Sequence, residues 1–367
     1  MEIGILTWHK VNNYGTFWLC YAMQQYIKSL GHEPVLLDYK REMYIESGNE
    51  DTSVKKVNDS IIYRLRNMTP NRIKNRRTYA EKLKNFIEFR EKYFNIGKLC
   101  TEADDCDAVI IGSDQIFDCK YEFNPYQYGI GIPCSNISAY APSFGEVTPE
   151  LMANEVHREE IAAALKRFNV LTARDENTRE IIAQLIGFKP EIAIDPVLMY
   201  GFEEERKVWN DRLVSKPYMV IYTWGGTTVT TEFAKRAKAA AKLNGLKTIS
   251  VGERRPWCDI DYASASPVEF FKLFLHADMV LTNMFHGTCF SILFNRPFFS
   301  ISMPHNKNKL EDVLFRFGLE SQLVTDISQI SSLSVPRIDF DSVNKRVSEA
   351  RMHSRKLFNQ MFSTIRG

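Results

Sequence analysis

The stretch VLTNMFHGTCFSILFNRPFF, residues 280–299, joins two apolar runs through a short polar segment. The first run has the pattern of a buried β-strand, and the second has apolar residues at helical spacing before a proline. At their junction lie Asn283, His286, Gly287 and Thr288. In open α/β sheets ligands bind at such junctions, because the helix N-terminus attracts anions. The stretch therefore predicts a parallel α/β fold with a candidate anion site.

The polar junction also has a purely structural interpretation. In that case Asn283 and Thr288 cap the helix, and His286 is a hydrogen-bonded histidine at the boundary of the core. In the functional interpretation Gly287 lets an anion approach the backbone, and His286 donates a hydrogen bond or a proton. The residues alone leave both interpretations open.

Strand and helix patterns alternate along the rest of the chain. In the first half, strand patterns are MEIGILTW, EPVLLDY, DAVIIGSD, ISAYAPSFG, VLTARD and PEIAID, with helices at 17–30, 152–168 and 176–186. In the second half they are YMVIYTW, LKTISVG, ADMVLTN and RPFFSIS, with helices at 231–244, 267–276 and after His286. This alternation predicts two doubly wound α/β domains that face each other across a cleft.

The length of 367 residues also indicates more than one hydrophobic core. We predict an N-terminal domain over residues 1–200, with a basic helical insertion at about 41–95. A charged segment at 200–216 marks the crossover to a C-terminal domain over 217–340. Residues 341–367 have the pattern of a terminal helix that packs back on the first domain.

Composition narrows the class of protein. The net charge is only +2, from 47 basic and 45 acidic residues, so no strong attraction to nucleic acid is expected. Neither a signal-peptide pattern nor an apolar run of roughly 18 residues is present, and we expect a cytoplasmic protein. The seven cysteines are scattered without a C-x-x-C pair, which favours reduced thiols over disulfides. No cluster of metal ligands is evident, so no metal is expected.

A series of motifs, in order, resembles the polysaccharide pyruvyl transferase family. They are GILTWHKVNNYG, IIGSDQIFD, ISAYAPSFG, ARDENT, AIDPVLM and SPVEFFKLFLHADMVLTNMFHGTCFSILFNRPFF. The last motif is similar to the family's C-terminal signature, in which T-D-S-F-H-G-T joins a hydrophobic strand to an apolar helix. The resemblance runs from Met1 to about Gly318 and implies two Rossmann-like domains, similar to GT-B glycosyltransferases.

The resemblance also implies a reaction. The enolpyruvyl group of phosphoenolpyruvate passes to two hydroxyls of a sugar, which forms a cyclic pyruvate ketal and releases phosphate. The acceptor sugar belongs to a polysaccharide or a lipid-linked oligosaccharide. Phosphoenolpyruvate is a co-substrate, and no further cofactor is expected.

The donor carries a phosphate and a carboxylate, so its site needs several cations or helix N-termini. The resemblance implies that Arg174, His286, Gly287 and Thr288 form this site, with His286 also a candidate proton donor. By the residues alone, Arg174 also fits a surface pair with Asp175 or Glu176.

Two positions close to His286 in the sequence differ from the family's pattern. Part of the family has an arginine where this chain has Met284, and we expect Lys307 or Lys309 to supply the missing cation. Asn283 replaces the family's aspartate, which predicts that His286 lacks a carboxylate to orient its ring.

Polar residues after the first-domain strands are candidates for the acceptor site. Asp114 is predicted to be the general base, ahead of His9, although a strand-end aspartate also fits a helix cap. The remaining candidates for acceptor binding are Asn12, Asn13, Tyr14, Ser113, Gln115 and Ser143, with Glu253, Arg254 and Arg255 in the matching place of the second domain. Residues 12–14 also fit ordinary Asx-turn chemistry.

The segment from Arg64 to Lys84 has eight basic residues and one acidic residue. It is predicted either to contact anionic lipid at the inner face of the membrane or to be a solvated helical face. Two rival functions also fit the sequence. One is a GT-B glycosyltransferase that uses a nucleotide sugar, and the other is a catalytically inactive glycan-binding relative.

Overall fold

A computed structural model describes residues 1–39, 70–120, 122–304 and 306–363 of the chain. Residues 41–69 of the predicted insertion, including Arg64, lie outside these ranges. Among the described residues, no helix is long and apolar enough to cross a membrane.

The first sheet has five parallel strands in the order β3-β2-β1-β4-β5. A two-stranded parallel sheet, β6-β7, continues its edge through a bridge between Ala139 and Leu171. The strands are β1 (Glu2–Leu6), β2 (Glu33–Asp38), β3 (Ile96–Leu99), β4 (Ala108–Ile111), β5 (Ile137–Ala139), β6 (Thr172–Ala173) and β7 (Glu191–Ile192). The helices between them are α1 (Tyr14–Ser29), α2 (Pro70–Tyr93), α3 (Pro149–Ala153), α4 (Arg158–Leu165) and α5 (Glu176–Ile186).

The second sheet has six parallel strands in the order β10-β9-β8-β11-β12-β13. Two short helices, α6 (Pro196–Tyr200) and α7 (Glu203–Val208), lead into it. The strands are β8 (Tyr218–Tyr222), β9 (Lys247–Val251), β10 (Ile260–Tyr262), β11 (Met279–Thr282), β12 (Phe298–Ile301) and β13 (Leu323–Val324). Its helices are α8 (Thr231–Leu243), α9 (Pro267–Leu275), α10 (Phe285–Leu293) and α11 (Lys307–Phe317), and α12 (Phe340–Ser363) ends the described chain.

Successive residues of a β-strand point to opposite faces of the sheet, so neighbouring residues here enter different hydrophobic cores. Ile5 of β1 and Val220 of β8 belong to one central apolar cluster, which also contains Trp18 of α1. Leu6 and Met219, their neighbours in sequence, enter two separate outer clusters. Both faces of both sheets are thus covered, and the central cluster holds the two sheets together.

Two predicted helices differ from the structure. The helix predicted at 17–30 begins at Tyr14, because the Asn13 side chain accepts a hydrogen bond from Gly15 N at 2.8 Å and caps it. The single helix predicted at 152–168 is wrong. It is divided into α3, capped by Thr148, and α4, with a turn around Glu155 between them.

The terminal helix α12 contacts the connection between the two sheets. Ser354 Oγ accepts a hydrogen bond from Ile194 N at 2.9 Å, and Arg355 Nε donates to Met199 O at 3.2 Å. Phe358 packs edge-on against Tyr140, which follows β5. The helix therefore joins the end of the chain to the first sheet and to α6.

The basic helix α2 contacts both halves of the molecule. Lys82 Nζ donates to Gly252 O at 2.9 Å, and Asn85 Nδ2 donates to Ser264 O at 2.7 Å. Arg90 Nε donates to His9 O at 3.2 Å in the first half. One face of α2 is therefore used in protein contacts, while Lys74, Asn75, Arg76 and Arg77 are exposed.

Candidate active site

The carboxyl ends of strands from both sheets meet around His286, the second residue of α10. His286 is 7% exposed. A Cβ at Gly15, the second residue of α1, would lie 2.1 Å from His286 Nδ1. A side chain at position 15 would therefore displace the histidine, and glycine is required for the two halves to approach each other here.

Asp195, after β7, supplies His286 with a carboxylate from the other half of the molecule. Its Oδ2 lies 3.4 Å from His286 Nε2, and its side chain is completely buried. The other oxygen accepts a hydrogen bond from Val197 N at 2.9 Å, which caps α6 and fixes the carboxyl group. The expectation that His286 lacks an orienting carboxylate is therefore wrong. The signal was the Asp-Pro pair after a strand in AIDPVLM.

Arg174, directly after β6, is the central cation of the cluster. Its Nη1 lies 3.2 Å from Asp114 Oδ1 and 3.6 Å from Asp195 Oδ2, and its guanidinium lies 4.5 Å from the centre of the Phe285 ring. Burial disfavours its charge, but Asp114, Asp195 and Asp175 outweigh that effect and raise the pKa of Arg174. Because the guanidinium is buried, the alternative of a surface pair is wrong.

Asp114 lies between Arg174 and the start of α1. Its Oδ2 accepts a hydrogen bond from Thr16 Oγ1 at 3.2 Å, and its backbone has a φ of 66°. Burial alone would raise the pKa of this carboxyl, but His286, Arg174 and Lys309 lower it to about 2. Asp114 is consequently an ionised carboxylate at neutral pH and, with this pKa, a weak base.

The structure separates the two lysines that were predicted to replace the missing arginine. Lys309 lines a small pocket between the two sheets together with Arg174, Asp195, Phe285 and Arg316. Burial and the charge of Arg174 lower the pKa of Lys309, despite the opposing effect of Asp114. Lys307 is 58% exposed and lies 3.9 Å from Glu311, so it is not brought to the cluster.

Several buried polar atoms of the cluster have no hydrogen-bond partner among the described residues. They are Arg174 Nε and Nη2, Asp195 Oδ2 and His286 Nε2. Buried polar groups are nearly always satisfied in folded proteins. His286 Nε2 and Asp195 Oδ2 face each other at 3.4 Å, whereas the two Arg174 nitrogens are donors without an acceptor, which makes the cluster a candidate site for an anion.

Gly287 and Thr288 pack against the second sheet instead of facing the cluster. A Cβ at Gly287 would lie 2.3 Å from Thr282 Oγ1, so this glycine allows α10 to approach β11. The Thr288 hydroxyl is fully buried and shares a 2.7 Å hydrogen bond with Ser300 Oγ. The prediction that the Thr288 hydroxyl contacts the donor is wrong.

Three hydroxyls predicted to bind the acceptor are buried in hydrogen bonds within the protein. Tyr14 donates to Ala265 O, Ser113 donates to Ala141 O and Ser143 donates to Asp175 Oδ2, each at 2.6 Å. Tyr14 also stacks on Phe270, with ring centres 4.5 Å apart. These predictions are wrong, because a hydroxyl at a strand end can equally be used by neighbouring backbone or carboxylate groups.

The other first-domain candidates are placed around the loop before α1 and after β4. His9 is buried with Nδ1 3.3 Å from Thr7 O, and burial lowers its pKa. Asn12 Oδ1 accepts from Arg90 at 3.0 Å, while Asn13 caps α1 and so follows the Asx interpretation. Gln115 is partly exposed beside Gly145.

The second-domain candidates 253–255 pair with their neighbours. Arg255 donates to Thr223 O at 2.9 Å and pairs with Glu253 at 2.9 Å. Arg254 Nε lies 3.4 Å from Asp261. The arginine side chains therefore brace the loops after β8 and β9.

A different group of three potential metal ligands occurs among the described residues, at Glu2, Asp105 and Cys106. The Lys98 ammonium bonds to Glu2 at 2.8 Å and also to Asp105. Because β1 begins at Glu2, this group lies at the amino-terminal end of the strands, away from His286. The Lys98 ammonium supplies the positive charge there in place of a metal ion.

Two facing parallel sheets with the site at their carboxyl ends define an α/β protein of two Rossmann-like halves. The solved structure of UDP-N-acetylglucosamine 2-epimerase from Rickettsia bellii is similar, with a TM-score of 0.53 at 13% identity, covering 99% of this chain and 96% of that one. The Arabidopsis thaliana UGT89C1 complexed with UDP-L-rhamnose has a TM-score of 0.49 at 12% identity, covering 99% and 98%. The predicted GT-B-like fold is confirmed.

The sequence profile described as "Polysaccharide pyruvyl transferase" matches residues 13–305. The chain belongs to the polysaccharide pyruvyl transferase family, as the ordered motifs predicted. A search of curated proteins finds no match to the chain.

Proposed function

We propose that this protein transfers the enolpyruvyl group of phosphoenolpyruvate to two hydroxyls of a sugar, with a cyclic pyruvate ketal and phosphate as products. One observation carries the proposal. Arg174, Asp195 and His286 form a buried cluster between the two sheets, in which four polar atoms lack hydrogen-bond partners among the described residues. Family membership provides the class of reaction.

In this proposal Arg174 and Lys309 hold the two anionic groups of the donor. Two nitrogens of the planar guanidinium, Nε and Nη2, have no hydrogen-bond acceptor among the described residues and suit bidentate contact with a phosphate or carboxylate. Lys309 supplies the charge that an arginine at position 284 supplies in part of the family. Binding of a dianion beside Asp114 opposes the cations that lower its pKa, so the bound donor makes this carboxylate a better base.

His286 protonates the methylene carbon of the donor, which becomes the methyl group of the ketal. The adjacent carbon acquires oxocarbenium character and is attacked by the first sugar hydroxyl. Loss of phosphate and attack by the second hydroxyl then complete the ketal. One hydroxyl proton replaces the proton given by His286, and the other leaves with phosphate, so the protons balance. Asp195 stabilises the protonated imidazole by charge and holds its ring.

The decisive experiment combines phosphoenolpyruvate with glycan acceptors and determines phosphate release and product mass. The proposal requires a mass gain equal to pyruvate minus water. A product that gains a hexose from a nucleotide sugar would identify a glycosyltransferase, and glycan binding without any product would identify an inactive relative. His286→Ala should reduce transfer by about 10³-fold or more. His353→Ala is the matched control, since His353 is an exposed histidine of α12.

For the acceptor we propose a lipid-linked oligosaccharide, with basic residues of the segment 64–84 against anionic lipid. In the described part of that segment, Lys74, Arg76 and Arg77 are exposed. Sedimentation with vesicles that contain phosphatidylglycerol tests the contact, and changing these three residues to glutamine should weaken it. Equal sedimentation of the triple variant would contradict the contact.

A further inference from the structure

Trp224 lies in the turn after β8, at the same edge of the second sheet as His286. It is 58% exposed. The chain has five tryptophans, all within the described ranges, and the other four are buried or partly buried. Since burying a tryptophan is strongly favourable, an exposed one on a well-held backbone needs a reason.

The side chain of Asn283 holds the backbone of this tryptophan from both sides. Asn283 Oδ1 accepts from Trp224 N at 2.8 Å, and Asn283 Nδ2 donates to Trp224 O at 2.8 Å. An amide can make both bonds, whereas an ionised carboxylate has no proton to donate to the carbonyl. Asn283 is itself fixed by Asn306, whose Nδ2 donates to Asn283 O at 2.6 Å.

The turn that follows is also closely packed. Gly225 and Gly226 have φ angles of 55° and 57°, a region that favours glycine. A Cβ at Gly226 would lie 2.5 Å from Met303 Cε. The backbone beneath the indole is therefore held by hydrogen bonds and by packing, which lowers the entropy cost of using the ring for binding.

The register of the sheet places Trp224 beside the catalytic junction. Tyr222 of β8 is the partner of Thr282 of β11. Trp224 is two residues beyond Tyr222, as Met284 is two residues beyond Thr282, and His286 follows Met284 by two residues. The indole and the imidazole therefore belong to neighbouring segments at one edge of the cleft.

We propose that Trp224, positioned by Asn283, is a stacking platform for a pyranose ring of the acceptor. One face of a pyranose carries mainly C–H groups, and an aromatic ring with a polar surround suits such a face. The assignment rests on the proposed function for the statement that the bound sugar is the acceptor. It also explains why this chain has an asparagine at position 283.

The first test uses the intrinsic fluorescence of the tryptophans. Methyl glycosides of glucose, galactose, mannose and N-acetylglucosamine should change the emission of the native protein in a saturable way, and glycerol should not. Trp224→Phe should abolish the emission change. If the change persists in Trp224→Phe, or if none of the four glycosides causes one, the platform is disproved.

The second test separates binding of acceptor from binding of donor. Trp224→Ala should raise the acceptor KM about tenfold, which corresponds to one stacking contact, while the dissociation constant of phosphoenolpyruvate stays unchanged. Trp224→Phe should recover most of the loss. Phe315→Ala is the control, because Phe315 is an exposed aromatic residue of α11. An unchanged acceptor KM in Trp224→Ala overturns the proposal.

Asn283→Asp tests the positioning role, because it keeps the size and removes the donated hydrogen bond. We expect a raised acceptor KM with kcat at saturating acceptor little changed, and an unchanged KM contradicts the role. The two proposals fail separately. If the glycosides quench Trp224 while phosphoenolpyruvate neither binds nor reacts, the stacking role of Trp224 is supported and the proposed pyruvyl transfer is disproved.

Discussion

The two strand-to-helix junctions that meet at the cluster, 193–197 in the first half and 282–286 in the second, use their polar side chains differently. Asp195 is buried, caps α6 and directs its second oxygen at His286. Asn283 is turned to the backbone of Trp224 and makes no hydrogen bond with His286 among the described residues. The carboxylate expected beside the histidine in sequence thus comes from the other half of the molecule. The position of His286 consequently depends on the contact between the two halves.

Removal of the Asp195 charge should have the largest effect of the tests that follow. Asp195→Asn keeps the cap on α6 but withdraws the charge from His286, and we expect kcat to fall about 10²-fold. Steady-state kinetics of the variant at saturating substrates measure this loss. Asn283→Asp is the mirror change, and a loss of kcat there equal to that of Asp195→Asn would contradict the comparison.

Loss of the central guanidinium should chiefly weaken donor binding. Arg174→Ala is expected to raise the dissociation constant of phosphoenolpyruvate about 10-fold to 100-fold, because a charged hydrogen bond to an anion contributes a few kcal/mol. Donor titration by calorimetry measures it. Arg316→Ala is a control from the wall of the same pocket, where Arg316 pairs with Asp312. An unchanged dissociation constant in Arg174→Ala would make Arg174 structural.

The contact between the halves can be broken at Gly15. Gly15→Ala places a methyl group 2.1 Å from His286 Nδ1, so we expect a loss of about 1–3 kcal/mol in free energy of unfolding together with a fall in kcat. Gly97→Ala is the matched control, since its Cβ would lie 2.2 Å from Val35 Cγ1. That variant should lose stability and keep its turnover per folded molecule. Equal turnover losses in both would show that the effect is not local to the histidine.

The smallest effect concerns the pH dependence of stability. The folded pKa of Asp114 is about 2, below its ordinary value of 3.8. Its ionised form therefore stabilises the fold above about pH 4, and this stabilisation is lost as the pH falls through 2. Asp114→Asn should lower the free energy of unfolding by about 1–2 kcal/mol at pH 7 and by less at pH 3.

Asp118 provides the opposite case, because burial raises the pKa of its carboxyl. Asp118→Asn should therefore cause no loss at pH 7. Urea unfolding at the two pH values compares the variants. A loss in Asp114→Asn that does not depend on pH would contradict the assignment.

Local chemistry accounts for the parts of the fold that could be predicted. Helix α5 occupies the predicted residues 176–186, because Asp175 caps its first turn and Gly187 ends it in the left-handed region. Strands β3, β10 and β13 were not predicted. The first two are edge strands with partly exposed side chains, and the third has only two residues, so none has a distinct apolar run.

The candidate site was predictable only in part. The structure brings His286, Arg174 and Lys309, which were predicted to bind the donor, together with Asp114, the predicted base. The hydroxyls of Tyr14, Ser113 and Thr288 are not free for ligand, because each is hydrogen-bonded inside the protein. Whether a polar group at a strand end faces the cleft depends on neighbours that are distant in the chain.

The sequence predicted two parallel α/β halves, the family, and His286 at a helix N-terminus as a candidate anion ligand. Hydrophobic periodicity and short motifs are local properties of the sequence, so they do not depend on how the two halves are arranged. Only the tertiary structure showed that Asp195 pairs with His286, 91 positions away in the sequence. It also showed that Lys309 lies at the cluster while Lys307 is exposed, and that the Asn283 side chain bonds to the backbone of Trp224. Those outcomes depend on angstrom-scale distances between separate segments, which hydrophobic packing of the two sheets sets and local sequence does not encode.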